Sequence, residues 1–299
     1  MDSQLSWNIG TDVTRLFAFP FMVHAFLAGT VVAIVAGLVG WYMVLRRQSF
    51  AGHTLAVVGF PGAAGATLLG LPLSAGLFAF CLGGALLIGA AGSRGAGLPR
   101  TQARQAAAIG IVQAFALACG FLFVSLYRGN ISGVSALLFG SFLGVTARQV
   151  ATLACGGVVA LLLLGCVARP LLFASVDPAV AEAAALPVAR LGVLFLLLLG
   201  AAAAEASQIT GALLVFALLV MPAATAQKLS ARPALSALLA ALLALGVTWL
   251  GLAVAYYSPY PIGFCITSLA FAAYLLAHAP RLGPLHRVRH SGWADGAAG

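Results

Sequence analysis

The chain has 299 residues, of which 63% are hydrophobic and only 7% charged, and its mean hydropathy is +1.09. A soluble domain carries about 25% charged residues, so this composition excludes a water-soluble enzyme and gives an all-α polytopic membrane protein. In such a protein the net charge of +9 reports which loops face the cytoplasm; it does not call for a nucleic-acid partner.

The N-terminal stretch holds Asp2 and Asp12 and lacks a basic n-region, so no cleavable signal peptide is expected. At about 20 apolar residues per span, nine spans are expected. They lie near residues 21–45, 52–70, 73–92, 105–127, 150–168, 188–206, 209–227, 235–257 and 261–278. The connections at Leu71-Pro72 and around Ser207-Gln208 are short, which fits spans that are short or broken. One transmembrane domain covers 1–280, and a basic, disordered cytoplasmic tail covers 281–299.

Charge placement orients the spans. Arg46, Arg47, Arg94, Arg100, Arg104, Arg169, Arg190, Lys228, Arg232, Arg281, Arg287 and Arg289 fall on one side, and only Arg15, Arg128 and Arg148 on the other. Basic loops stay cytoplasmic, which predicts an external N-terminus and a cytoplasmic C-terminus. Tyr256, Tyr257 and Tyr260 then sit in an external turn, at the depth where aromatic side chains anchor.

Along the chain, Gly29, Ala33 and Gly37 in the first span have helix-packing spacing. His24 falls in its outer part and reads as interfacial. After Arg46-Arg47 comes His53, at the mouth of the second span, where a histidine is costly without a partner or a water path. Pro61 lies further along that span. The five cysteines show no CxxC spacing and read as packing residues.

Between the fifth and sixth spans, Asp177 is a good N-cap, Pro178 suits the first helical position and Glu182 suits an early turn. This predicts a short cytoplasmic helix of about two turns ending at Pro187. It serves either as a plain capped loop or as a docking element. Glu205, near the outer end of the sixth span, is a buried acid and so a candidate site residue, unless it reaches external water. Pro222 interrupts the seventh span, as a kink or as a break lining a path. In the tail, His278, His286 and His290 alternate with arginines, either as a solvated basic tail or as a segment binding metal or anionic lipid.

Lys228 is the chain's single lysine and has no glycine-rich loop before it, so there is no Walker A sequence. Any ATP drive must come from another polypeptide. A secondary carrier would have to use Glu205 as its coupling group, without a clear internal repeat to frame it.

Four stretches together resemble the permease subunits of ABC transporters that import zinc, manganese or iron(II). They are Val44-Leu-Arg-Arg-Gln-Ser-Phe-Ala-Gly-His53-Thr-Leu-Ala, Ser135-Ala-Leu-Leu-Phe139-Gly140-Ser-Phe-Leu-Gly144, Asp177-Pro178-Ala-Val-Ala-Glu182-Ala, and Gly211 to Ala226 around Val-Met-Pro222-Ala-Ala-Thr. Taken in order they cover residues 44 to about 275. The resemblance implies a paired permease, most simply a homodimer, bound to two ATPase subunits and fed by an external metal-binding protein. No cofactor is held permanently, and the cargo is a divalent metal, zinc or manganese, crossing between the two permease copies. Residues 177–186 would be the element that docks into the ATPase, with Asp177, Pro178 and Glu182 its marks.

One departure bears on the cargo. The family often has Asp, then His one helical turn later, at the start of the second span; here those positions are His53 and Val57. His53 is left as a lone borderline ligand or gate on the path, or as a capping or packing histidine near the cytoplasmic interface. An ABC permease for a chelated metal or another small solute therefore stands as the alternative.

Overall fold

The computed structural model describes residue 14 and residues 16–93, 102–127 and 144–279. Arg15, Arg94, Arg100, Arg128, the Phe139-Gly140 stretch and the tail from residue 280, with His286 and His290, lie outside the described residues.

The described residues form helices only. They are α1 (Pro20–Leu45), α2 (Ser49–Leu68), α3 (Leu73–Ser93), α4 (Gln102–Leu126), α5 (Ala147–Val176), α6 (Pro178–Ala183), α7 (Val188–Leu229), α8 (Pro233–Tyr257) and α9 (Ile262–His278). Six stretches are long and apolar enough to cross a membrane: Pro20–Leu45, Leu73–Ala91, Ala106–Leu126, Ala147–Val176, Val188–Gly211 and Pro233–Tyr257. Leu214–Leu229 and Ile262–His278 are apolar but shorter. Helix α2 is rich in glycine and alanine and buried along most of its length, as an interior helix should be.

Local chemistry sets the reversals. Pro20, Pro178 and Pro233 each occupy the start of a helix, where a missing N–H costs nothing. Thr146 and Gln149 form a reciprocal capping box at the start of α5. Three helices end in the same left-handed turn. After α1, Arg47 has φ 55° and Gln48 N donates to Met43 O at 2.9 Å. After α2, Gly70 has φ 67° and Leu71 N donates to Ala66 O at 2.9 Å. After α6, Ala185 has φ 58° and Leu186 N donates to Ala181 O at 3.0 Å. These bonds satisfy terminal carbonyls and turn the chain within a few residues.

Helix α7 is the axle of the bundle, packing against α1, α2, α3, α5, α8 and α9. Its neighbours show that it doubles back. In the first arm Gly192 lies beside Arg46, Gly200 beside Cys81, Glu205 beside Gly157, itself packed on Val31 and Val35, and Ser207 beside Gly59. In the second arm Phe216 meets His53, the Leu219 carbonyl faces Gly40, and Gln227 Nε2 donates to Trp41 O at 2.9 Å. Along α1 the contacts thus move from residue 46 up to 31–35, then back to 40–41. The turning point is Gly211, with φ 71° and ψ 159°, a conformation open in practice only to glycine.

The hairpin tip stays inside the bundle. Gly211 stands at most about 9 Å beyond Glu205, whereas Pro20 stands about 17–22 Å beyond the Val31–Val35 level, at 1.5 Å per helical residue. The sequence places this interruption at Ser207-Gln208. Helix continues through both, because their side chains pack within the bundle and only glycine can take the reversing backbone.

Candidate functional site

His53 sits on the second turn of α2, just after the Arg46–Gln48 reversal. Phe50 is exposed, and His53 and Val57 are half-buried, while the residues between them and on to Ala66 are buried. The i, i+3, i+7 spacing makes these three the open stripe of α2. The pair of positions singled out by the resemblance therefore shares the accessible face of the first half of its helix. The His53 ring meets Phe216 edge-on, 4.8 Å between centroids at 69°. Its Nδ1 is buried and has no hydrogen-bond partner. One residue on, the fully buried Thr54 donates to Gln113 Oε1 of α4 at 2.9 Å, fixing the register of this turn. The result is an imidazole held in place by its neighbours, with an unpartnered Nδ1.

Of the two placements the sequence leaves open for Glu205, the structure has the buried one. It is 3% exposed, because the end of its arm at Gly211 is itself packed inside the bundle. Its carboxylate lies against the glycine pair of α5: a Cβ on Gly157 would sit 3.1 Å from Oε1, and one on Gly156 3.5 Å from the carboxyl carbon. Oε1 has no hydrogen-bond partner. Ser207, two residues on and so across the helix, faces α2 at Gly59. Glu205 and His53 thus lie on different sides of α7 and are not brought together. Among the described residues no three His, Cys, Asp or Glu side chains gather at metal-binding spacing.

Pro61 is buried in α2, with its Cβ close to Gly120 of α4. Pro222 is buried in the returning arm of α7. His24 is tied down, its Nδ1 3.2 Å from Val145 O, which joins the start of α1 to the approach to α5. His278 lies over Tyr274 at 4.1 Å, with Nδ1 2.9 Å from Tyr274 O.

At the basic end of the bundle the short helix forms as the sequence predicts. Asp177 Oδ1 accepts from Val180 N at 3.0 Å, and Pro178 opens α6. Ala181 is fully buried and pins the helix, whereas Asp177, Val180 and Glu182 are exposed. Sequence reasoning used Arg46 as a topology marker and as part of the family resemblance, without a contact of its own. In the structure its Nη1 donates to Ser175 Oγ at 3.0 Å and its guanidinium lies over Phe195, 5.4 Å from the ring centroid. Phe216 was also missed, since an apolar residue in an apolar span carries no signal of its own.

The sequence model of the ABC 3 transport family matches residues 18–280. The chain belongs to that family. Among its ABC 3 relatives, the chelated iron transport system membrane protein YfeC of Yersinia pestis is 33% identical over 72% of this chain and 71% of its own. The manganese transport system membrane protein MntC of Halalkalibacterium halodurans is 28% identical over 75% of each. Among solved structures, PsaBC from Streptococcus pneumoniae in complex with Fab superposes with a TM-score of 0.79 at 28% identity, covering 94% of this chain and 98% of that one. An ABC 3 chain of this kind is a permease subunit, with ATP hydrolysis on a separate polypeptide. Membership decides against the stand-alone carrier built on Glu205.

Proposed function

We infer that this chain is the membrane-spanning permease of an ATP-driven bacterial importer for divalent metal ions, manganese or zinc. The near full-length likeness to a group whose named members handle manganese or chelated iron supports the class. Within the fold, the observation that carries the site is His53, an imidazole with an unpartnered buried Nδ1 on the open stripe of α2. Neutral imidazole binds zinc, iron and manganese with borderline softness. A single imidazole is an incomplete ligand set, and a second copy of the chain would supply a second one across a shared path.

The remaining assignments rest on the charge pattern for sidedness and on the family resemblance for partners. The end bearing Arg46, Arg47, Arg169, Arg190, Lys228 and Arg232 is cytoplasmic and the N-terminus external. Helix α6, with Asp177, Pro178 and Glu182, docks into the ATPase from that side, and an external metal-binding protein delivers cargo to the other. Pro61 and Pro222 shape the two helices beside the path, and the tail from 281 is a basic cytoplasmic extension.

A second reading is favoured by one observation, the lack of any three-ligand cluster among the described residues. In it the cargo is a chelated metal, carried without direct ligation by the permease. Uptake of radioactive manganese and zinc by the reconstituted complex, with and without ATP, tests the proposal. ATP-dependent uptake is expected, falling about tenfold or more in His53→Ala, the loss that goes with removing one good metal ligand or its support. Unchanged uptake of free metal in that variant sinks His53 as a ligand. Uptake of a chelate alone selects the second reading. Glu205→Gln keeps the shape of the side chain, and a comparable loss there would make Glu205 a path residue despite its place against α5.

A further inference from the structure

Arg46 stands where α1, α5 and α7 meet, and its partners join the ATPase-facing end of the chain to the helix that bears His53. Its guanidinium donates from Nη1 to Ser175 Oγ at 3.0 Å and covers the face of Phe195. The Ser175 hydroxyl gives its own proton to Leu171 O, one turn back, so its lone pairs are left for the guanidinium. Arg46 Nε is buried and unpartnered. A half-buried cation held by a hydroxyl and an aromatic ring, rather than by a carboxylate, contributes little net stability for its desolvation. Its placement is better explained by what it connects.

On one side is α6. Ser175 lies two residues before Asp177, on an α5 that runs without a break into the Asp177 cap. On the other side is α2. Arg46 is the first residue of the reversal locked by Arg47 at φ 55°, and Gly52 N donates to Gln48 O at 3.0 Å, so the turn and the first turn of α2 move together. A second tie, Tyr42 OH to Ala168 O at 3.1 Å, holds α1 to α5 one turn further in along α1. The path from α6 to His53 is therefore a continuous set of directed polar contacts and rigid helical turns.

We propose that Arg46 is a positioning residue that transmits displacement of α6 to the His53 end of α2, through Ser175 and the α1–α2 turn. The proposal rests on the transport reading above and adds the residue that links ATP use to the path. Arginine suits this place because its planar fork donates to the serine while its face covers Phe195; a lysine ammonium can donate or approach the ring but has no planar face to do both at once. Coupling carried this way is lost without loss of either activity it connects.

The test uses the full complex in proteoliposomes, permease with its ATPase and binding protein, with manganese or zinc as cargo according to which the wild type takes up. Metal imported per ATP hydrolysed is the readout. In Ser175→Ala and Arg46→Lys that ratio is expected to fall roughly tenfold, while complex yield and ATP hydrolysis stay within about twofold of wild type. The double variant should be no worse than Arg46→Lys alone, because both break one link. If Arg46→Lys does not assemble, Ser175→Ala decides, since it removes a single oxygen. An unchanged ratio, or uptake and hydrolysis falling in proportion, overturns the role of Arg46 and leaves the transport reading standing. A wild type that imports no metal with ATP overturns the transport reading itself, and the inference with it.

Discussion

Some glycines of this chain are required and others are not, and the structure tells them apart residue by residue. At Gly40 a Cβ would sit 2.1 Å from the Leu219 carbonyl oxygen, which is backbone and cannot swing away. Close approach of α1 to the returning arm of α7 therefore depends on that missing methyl. Gly83 of α3 has nothing within 4 Å of its would-be Cβ. Gly40→Ala is expected to destabilise by about 1–3 kcal/mol through forced separation of the two backbones. Gly83→Ala is expected to be neutral or stabilising, by up to about 1 kcal/mol, through helix propensity. Thermal unfolding of the purified protein in detergent checks both; equal shifts in the same direction would mean the α1–α7 contact is not what Gly40 serves. The Gly156-Gly157 pair stands between these cases, since a Cβ there would meet the movable Glu205 carboxylate and Val31 side chain.

The element most exposed to a single change is α6. It has six residues, too few for helix formation without help, and two things hold it: the Asp177 cap and buried Ala181. Asp177→Ala should remove about 1 kcal/mol of local helix stability. Because α6 is exposed on all but one side, global unfolding should barely move while ATP-dependent uptake falls; Asp177→Asn, which still caps, should restore it. Uptake unaffected by the alanine would show that the ATPase does not need α6 preformed. This helix was legible in advance because capping is local chemistry, written in consecutive residues. The same holds for the helix positions, which follow from apolar run length, although among the described residues six stretches, against nine expected spans, are long and apolar enough to cross a membrane. The doubling back of α7 was legible only as a short gap, and its site was misread: Ser207 and Gln208 are polar and look like a loop, yet tertiary packing keeps them helical, while Gly211 turns the chain. For Glu205 the sequence left burial and contact with water both open, and the choice needed the packing of the hairpin tip inside the bundle. His53 and Val57 sharing an open stripe was readable from their spacing; that Phe216 abuts the ring, and that Arg46 reaches Ser175, needed three-dimensional contacts between residues far apart in sequence.

At the scale of the whole molecule, the charge asymmetry makes a commitment about sidedness that can be read from intact cells. Chain direction is fixed within the bundle: the α1–α2 turn and α6 share one end, since Arg46 meets Ser175, and the Leu69–Pro72 turn lies at the other end of α2. One labelled position at each end therefore orients every helix. Leu71 is 54% exposed in its turn, and Ala184 is exposed just after α6. In a background with the five native cysteines replaced, Leu71→Cys should react with a membrane-impermeant maleimide added outside intact cells, and Ala184→Cys only after the membrane is opened. Positive loops resist translocation, and the bundle's other end carries few basic residues, so the physical basis is the cost of moving Arg46, Arg47, Arg169, Arg190, Lys228 and Arg232 across the bilayer together. The reverse labelling pattern would put α6 outside, where no ATP is hydrolysed, and would remove it as the docking element. External labelling of Leu71→Cys combined with protected Ala184→Cys leaves the α6 end facing the ATPase and the far end of α2, beyond the hairpin tip at Gly211, facing the incoming metal.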